Sequence, residues 1–131
     1  MTGENKNPRT GRILIVDDEP DIALLLKMAL EHDGSFGIVR TFDDPTLALF
    51  DFKAGLYDFV ILDLTMPHID GFDLYQQMRK IDSKVKFCFL SGRETCGDEP
   101  SNGYHSLRDD MFIKKPITIT NFLKEVHKRL G

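Results

Sequence analysis

Tryptophan is absent from these 131 residues and cysteine is scarce, with only Cys88 and Cys96. The two cysteines have no histidine or further cysteine at metal-ligand spacing and no secretory context. A disulfide framework and a structural zinc site are therefore both set aside, and the thiols are expected to be reduced. Long apolar runs are missing too. The longest, residues 13–16 and 59–62, fall far short of a bilayer, and the polar start of the chain holds no apolar stretch of the kind a secretory leader needs. A cytoplasmic protein with no membrane partner is the expectation. Nor is there a surplus of positive charge: 17 Lys and Arg face 21 Asp and Glu, a formal net charge of −4. Such a chain has no global field for holding phosphate backbones, so direct nucleic-acid binding is disfavoured. What is present, 41% hydrophobic and 29% charged residues, suits one domain. At this length it buries roughly two-thirds of its unfolded surface without staples.

The hydrophobic pattern alternates between two periods. Residues 1–11 are polar and aperiodic and read as a flexible N-terminal arm. Residues 12–16 then form a β-branched apolar run suited to a strand buried on both faces. After Pro20, the spacing of Ile22, Leu25, Leu26, Ala29 and Leu30 predicts a helix that Gly34 ends. A second strand is expected over 36–41. Asp44 and Pro45 then open a helix closing near Gly55. Residues 59–62 are the clearest strand. Asp70 is placed to cap a helix with Leu74, Met78 and Ile81 on its stripe, followed by strands over 86–90 and 111–114. Thr118 or Thr120 caps a last helix that buries Ile119, Phe122, Leu123, Val126 and Leu130. Residues 92–110 show no helical stripe, so a fourth helix there is short, distorted or absent. Strands alternating with helices imply right-handed crossovers and an α/β three-layer sandwich around a five-stranded parallel sheet.

In an open parallel sheet, ligands bind beyond the carboxyl ends of the strands. There this sequence places Asp17, Asp18 and Glu19 after the first strand, Asp63 after the third, Ser91 after the fourth and Lys115 after the fifth. Carboxylates forced together must protonate, repel or recruit a cation, and hard oxygen donors select Mg²⁺ or Mn²⁺ over Zn²⁺. With such an ion and Lys115 offsetting three carboxylates, an incoming phosphoryl group meets no net repulsion. Phosphoryl transfer to a carboxylate nucleophile fits that balance.

Four motifs then carry a resemblance: Ile15-Val16-Asp17-Asp18-Glu19-Pro20, Leu62-Asp63-Leu64-Thr65-Met66-Pro67-His68-Ile69-Asp70-Gly71, Leu90-Ser91-Gly92 and Lys115-Pro116. In this order, each at a strand end, they resemble the receiver domains of two-component response regulators. The resemblance implies a flavodoxin-like fold with strand order 2-1-3-4-5 and a receiver domain spanning residues 12–131. It implies Asp63 as the phosphoacceptor, charged from a phosphohistidine of a sensor histidine kinase or a phosphotransfer protein. Asp17, Asp18, Asp63 and the backbone carbonyl of Thr65 would hold Mg²⁺ or Mn²⁺. Lys115 would pair with Asp63 and then with a phosphoryl oxygen, and Ser91 would donate its hydroxyl. Phe112 occupies the position of an aromatic switch acting with Ser91 on a partner-binding face. The output would be a downstream effector protein or a fused domain, with a homodimer left open. Such a domain is not an enzyme of metabolism; it catalyses only its own phosphorylation and dephosphorylation.

Two departures matter. Residues 106–110, Ser-Leu-Arg-Asp-Asp, stand where many relatives have a small-residue segment before the fifth strand. Phe112 lacks the hydroxyl of the commoner tyrosine, so no switch can end there in a tyrosine hydrogen bond. Alternatives are a phosphorylation-independent docking module, a haloacid-dehalogenase-type phosphatase and a flavodoxin-like electron carrier. The phosphatase needs Asp-x-Asp-x-Thr after the first strand, and the carrier needs a Ser/Thr/Gly-rich phosphate loop where Asp17, Asp18 and Glu19 stand. His32, His68, His105, His127 and the pair Asp109 and Asp110 read as surface.

Overall fold

The computed structural model describes residues 11–64, 71–91, 112–114 and 117–130. Five strands run parallel in the order β2-β1-β3-β4-β5: β1 Arg12–Val16, β2 Ile38–Phe42, β3 Phe59–Asp63, β4 Lys86–Ser91 and β5 Phe112–Lys114. Four helices are seen among the described residues: α1 Pro20–Asp33, α2 Pro45–Asp51, α3 Gly71–Ile81 and α4 Ile119–Leu130. Residues 92–111, where a short, distorted or missing helix is expected, lie outside the described residues, as does the arm over 1–10.

The central strands are apolar throughout because both of their faces are covered. Ile13, Ile15, Ile61 and Leu90 pack under α1 and α4, whereas Leu14, Val16, Leu62 and Phe89 pack under α2 and α3. Alternation along each strand thus feeds two cores, and the sheet is the middle layer.

Helix ends follow the expected chemistry with local corrections. Glu19 precedes Pro20 at the first helical turn of α1, and Gly34 closes that helix at φ 82°, a left-handed conformation glycine adopts without strain. Asp44 accepts a hydrogen bond from the Thr46 amide at 2.9 Å, capping α2. Thr118 caps α4, its hydroxyl oxygen accepting from the Asn121 amide at 3.1 Å. On α1, Leu25 is 49% exposed and Ala23 only 3%. Leu26 and Leu30 set the centre of the buried stripe, and Leu25 lies about 100° around the helix from Leu26. Leu24, Leu25 and Met28 therefore face outward.

The second helix stops at Asp51 rather than near Gly55. Phe52 turns extended (ψ 132°) and stacks on Tyr57 at 6.1 Å, so burying its ring ends the helix. Ile81 is exposed because it falls in the last turn of α3, beyond the core. It lines a cleft of about 750 Å³ at the amino ends of the strands. β2 starts at Ile38, where pairing with Arg12 begins, and leaves Phe36 free to pack on His127 at 5.1 Å. His127 is at the surface as expected, but it is tied down: its ring nitrogen lies 3.1 Å from the Asp33 carboxylate. β3 and β4 each extend one residue past the apolar run, to Asp63 and Ser91.

Asp82 holds the amino end of the sheet together. Its carboxylate accepts from the Gly55 amide at 2.9 Å and the Lys84 amide at 2.9 Å, joining the loops before β3 and β4. The Gly55 hydrogen bond, with those of Lys84 and Val85, outweighs burial and holds this carboxyl below its ordinary value. A group with a depressed folded pKa contributes stability above its unfolded pKa and loses it as pH falls through the folded one. That contribution is therefore intact at neutral pH and fades below about pH 4. Asp82→Asn is expected to cost about 1–2 kcal/mol at pH 7 and to lose less stability than the parent protein on acidification. Urea unfolding at neutral pH and near pH 3 checks both; an equal acid loss in the two proteins contradicts the assignment.

Candidate functional site

β1, β3 and β4 are neighbours in the sheet, so residues just past their apolar runs meet at one edge. Asp17 leaves β1 with its amide donating to the Phe42 carbonyl of β2 at 3.1 Å, which extends the ladder by one bond. Its carboxylate accepts from the Glu19 amide at 3.0 Å, fixing the turn into α1. Asp63 is the last residue of β3, paired with Leu90 of β4, and the next amide, of Leu64, donates to the Leu90 carbonyl at 3.0 Å. Both side chains are buried, with Asp17 0% and Asp63 1% exposed, and Asp18 is half-buried.

One carboxylate oxygen each from Asp17, Asp18 and Asp63 can be chosen so that all three lie within 4.8 Å of one another. Burying anionic groups this close is costly unless a cation compensates. An all-oxygen, anionic donor set with a half-exposed member fits Mg²⁺ or Mn²⁺, which keep water ligands and need few carboxylates. Three residues predicted from sequence are thus brought together across 46 positions of chain. Thr65 and Lys115 lie outside the described residues, as do His68 and Asp70. Ser91 is placed at the carboxyl end of β4, paired with Lys114 of β5. Phe112 sits two residues earlier on β5, half-buried, its ring centroid 5.4 Å from that of Phe89.

Sequence reasoning missed the part played by Gly71, the first residue of α3. A Cβ built there would lie 2.8 Å from Cδ2 of Leu64, 3.1 Å from the carbonyl oxygen of Asp63 and 3.1 Å from Cα of Leu64. Only a residue without a side chain lets α3 begin this close to the strand that carries Asp63. The signal was its position after the loop that follows Asp63, but the close approach is tertiary and leaves no periodic trace. Cys88, by contrast, has no part in the site: it is a buried free thiol whose pKa burial pushes up to about 12, too high for a reactive thiolate.

A family model for the response regulator receiver domain matches residues 13–127. The chain belongs to this family. Among curated relatives, the receiver domain is 34% identical over 108 residues to the transcriptional regulatory protein TrcR of Mycobacterium tuberculosis, covering 82% of this chain and 40% of TrcR. It is 28% identical to the response regulator receiver protein CpdR of Brucella abortus, covering 91% of this chain and 96% of CpdR. The chain thus spans less than half of TrcR and almost all of CpdR. Among solved structures, the response regulator protein TrrA of Thermotoga maritima in complex with Mg²⁺ and BeF superposes with a TM-score of 0.74 at 34% identity, over 92% of this chain and 99% of TrrA. TrrA in complex with the histidine kinase ThkA gives 0.70 at 31%, with the same coverage. The observed strand order is that of the fold these relatives share. No helix among the described residues is long and apolar enough to cross a membrane.

Proposed function

We propose that this receiver domain accepts a phosphoryl group on Asp63 from a phosphohistidine of a sensor histidine kinase or a phosphotransfer protein, with Asp17 and Asp18 helping to hold a divalent cation. The observation that carries this reading is the meeting of three carboxylates at the carboxyl edge of the sheet. In the transfer, a carboxylate oxygen of Asp63 attacks phosphorus, an O–P bond forms and the P–N bond breaks. Its electron pair leaves on the imidazole nitrogen, which takes up a proton from solvent. Bound Mg²⁺ would supply charge neutralisation between the anionic nucleophile and the anionic phosphoryl group. Asp17, fixed by the Glu19 amide, and Asp63, fixed in β3, are held in place before the donor arrives, so little reorganisation is needed.

Thr65 would complete the cation site through its backbone carbonyl, Lys115 would neutralise a phosphoryl oxygen and Ser91 would donate to another. Phe112 would respond to Ser91 and alter the surface beside β5 and α4. The kinase complex of TrrA supports a kinase partner, and the exposed Leu24, Leu25 and Met28 on α1, the helix that follows Asp17 and Asp18, offer it an apolar surface. TrcR, longer than this chain and named a transcriptional regulator, supports a fused output domain, and CpdR, of similar length, a separate effector. The chemistry stops at its own aspartyl phosphate and its hydrolysis, with no metabolite turned over, and a cytoplasmic setting suits it.

Incubation with acetyl phosphate and Mg²⁺ should give one phosphoryl adduct by intact mass, lost with chelator and in Asp63→Asn. No adduct, or one that survives in Asp63→Asn, overturns the assignment. In the first case the docking-module reading takes its place.

A further inference from the structure

A row of aromatic rings runs from the acidic edge of the sheet across the face covered by α3. Phe112 of β5 is paired in the ladder with Phe89 of β4, and their rings lie 5.4 Å apart. Phe89 meets Tyr75 of α3 edge-on at 5.3 Å, and Tyr75 meets Phe87 edge-on at 4.8 Å. The Arg79 guanidinium covers Phe87 at 4.9 Å and Tyr75 at 5.5 Å. Its Nη1 donates to the carbonyls of Ser83 at 2.8 Å and Val85 at 2.9 Å. The row therefore begins two residues from Lys114, beside the site, and ends in the α3–β4 turn at the cleft on the opposite edge of the sheet.

We propose that this row couples the phosphoryl state of Asp63 to α3 and the α3–β4 turn, with Tyr75 as its middle member and Arg79 as its end. The proposal rests on the reading of Asp63 as phosphoacceptor and Phe112 as the ring that moves. Phe112 has no hydroxyl, so packing alone sets its position, and its ring neighbour is a fully buried Phe89. Interiors are packed to crystal density, and a ring that shifts leaves a void or drags its neighbour. Edge-to-face contacts depend on angle as well as distance, so displacing Phe89 moves the preferred seat of Tyr75. Arg79 is anchored by two carbonyls of the turn, which makes the turn follow α3. The coupling is a packing change in a bistable element, and it reaches a surface away from β5 and α4.

The test is NMR of the full chain with beryllofluoride and Mg²⁺, reading the Tyr75 ring, the Arg79 Nε–H and the Val85 amide. The Asp18 and Leu64 amides report occupancy of the site. In the parent protein all of these resonances should shift. In Phe112→Leu the shifts at Tyr75, Arg79 and Val85 should be lost while those at Asp18 and Leu64 remain, and Phe112→Tyr should restore them. Arg79 and Val85 shifts unchanged in Phe112→Leu, or absent in the parent protein while Asp18 and Leu64 respond, overturn the coupling. If Asp18 and Leu64 themselves stay still in the parent protein, the phosphoacceptor reading has failed and the coupling falls with it. Tyr75→Leu, which interrupts the row without touching β5, should silence Arg79 and Val85 in the same way.

Discussion

Asp63→Asn is expected to raise the thermal stability of the metal-free protein and to remove most of the stabilisation that Mg²⁺ gives the parent chain. Three carboxylate oxygens within 4.8 Å of one another, two of them on buried side chains, repel by about 3.5 kcal/mol or more per pair at an effective permittivity near 20. Hydrogen bonds such as that from the Glu19 amide to Asp17 and the half-exposure of Asp18 offset part of this. Salt screens the buried pair poorly. An amide keeps the shape of the carboxylate and removes one charge, so packing is preserved and repulsion falls. A net gain of about 1–2 kcal/mol, or several degrees in Tm, follows for a domain of this size. A cation that binds only the folded state stabilises by about 2.7 kcal/mol at a hundredfold excess over its Kd. That response should collapse in Asp63→Asn because one ligand and one charge are gone. Thermal scans in chelator and in millimolar Mg²⁺ decide the matter; an Asp63→Asn protein that melts below the parent in chelator, or gains equally from Mg²⁺, contradicts a shared cation site.

The elements most legible in the sequence were those whose burial is symmetric. β1 and β3 are apolar on both faces, so their composition alone marks them, and the residue that breaks each run, Asp17 or Asp63, stands at the functional edge of the sheet. Parallel topology then carries residues from distant segments to one place without any contact being known. Elements with one buried face were read less well, since a single helix pattern allows neighbouring stripes. Leu25 and Ala23 lie about 160° apart, on opposite flanks of the stripe centred on Leu26 and Leu30, and the sheet rather than the sequence turns Ala23 inward. The end of α2 depends on Phe52 leaving the helix to stack on Tyr57, a choice made by the core. The His127 contacts with Asp33 and Phe36 and the aromatic row from Phe112 to Arg79 join residues far apart in sequence. Neither has a periodic signature.

Gly71→Ala should damage the site more than it damages the fold. The new Cβ meets the Leu64 side chain at 2.8 Å, which a rotamer change could relieve, but also two backbone atoms at 3.1 Å, which it cannot. The amino end of α3 must then retreat from β3 by a few tenths of an ångström. Phe72, Leu74 and Met78, buried on α3, would lose contact with the sheet, for an expected cost of about 1–3 kcal/mol. Alanine's better helix propensity returns less than about 1 kcal/mol of this. The backbone atom crowded is the carbonyl of Asp63 itself, so the carboxylate that must attack phosphorus shifts with it. Small misplacement of a reacting group costs rate out of proportion to stability. Adduct formation from acetyl phosphate should therefore slow by about tenfold or more, with weaker Mg²⁺ stabilisation, in a protein that still unfolds cooperatively in urea. Gly34→Ala is the control. Its Cβ meets only the His32 carbonyl at 4.0 Å, and its cost, about 1 kcal/mol, comes from the left-handed backbone at the end of α1. It should lower stability and leave adduct formation unchanged. Equal rates for Gly71→Ala and the parent protein would mean that α3 does not position Asp63 and that β3 alone holds the nucleophile.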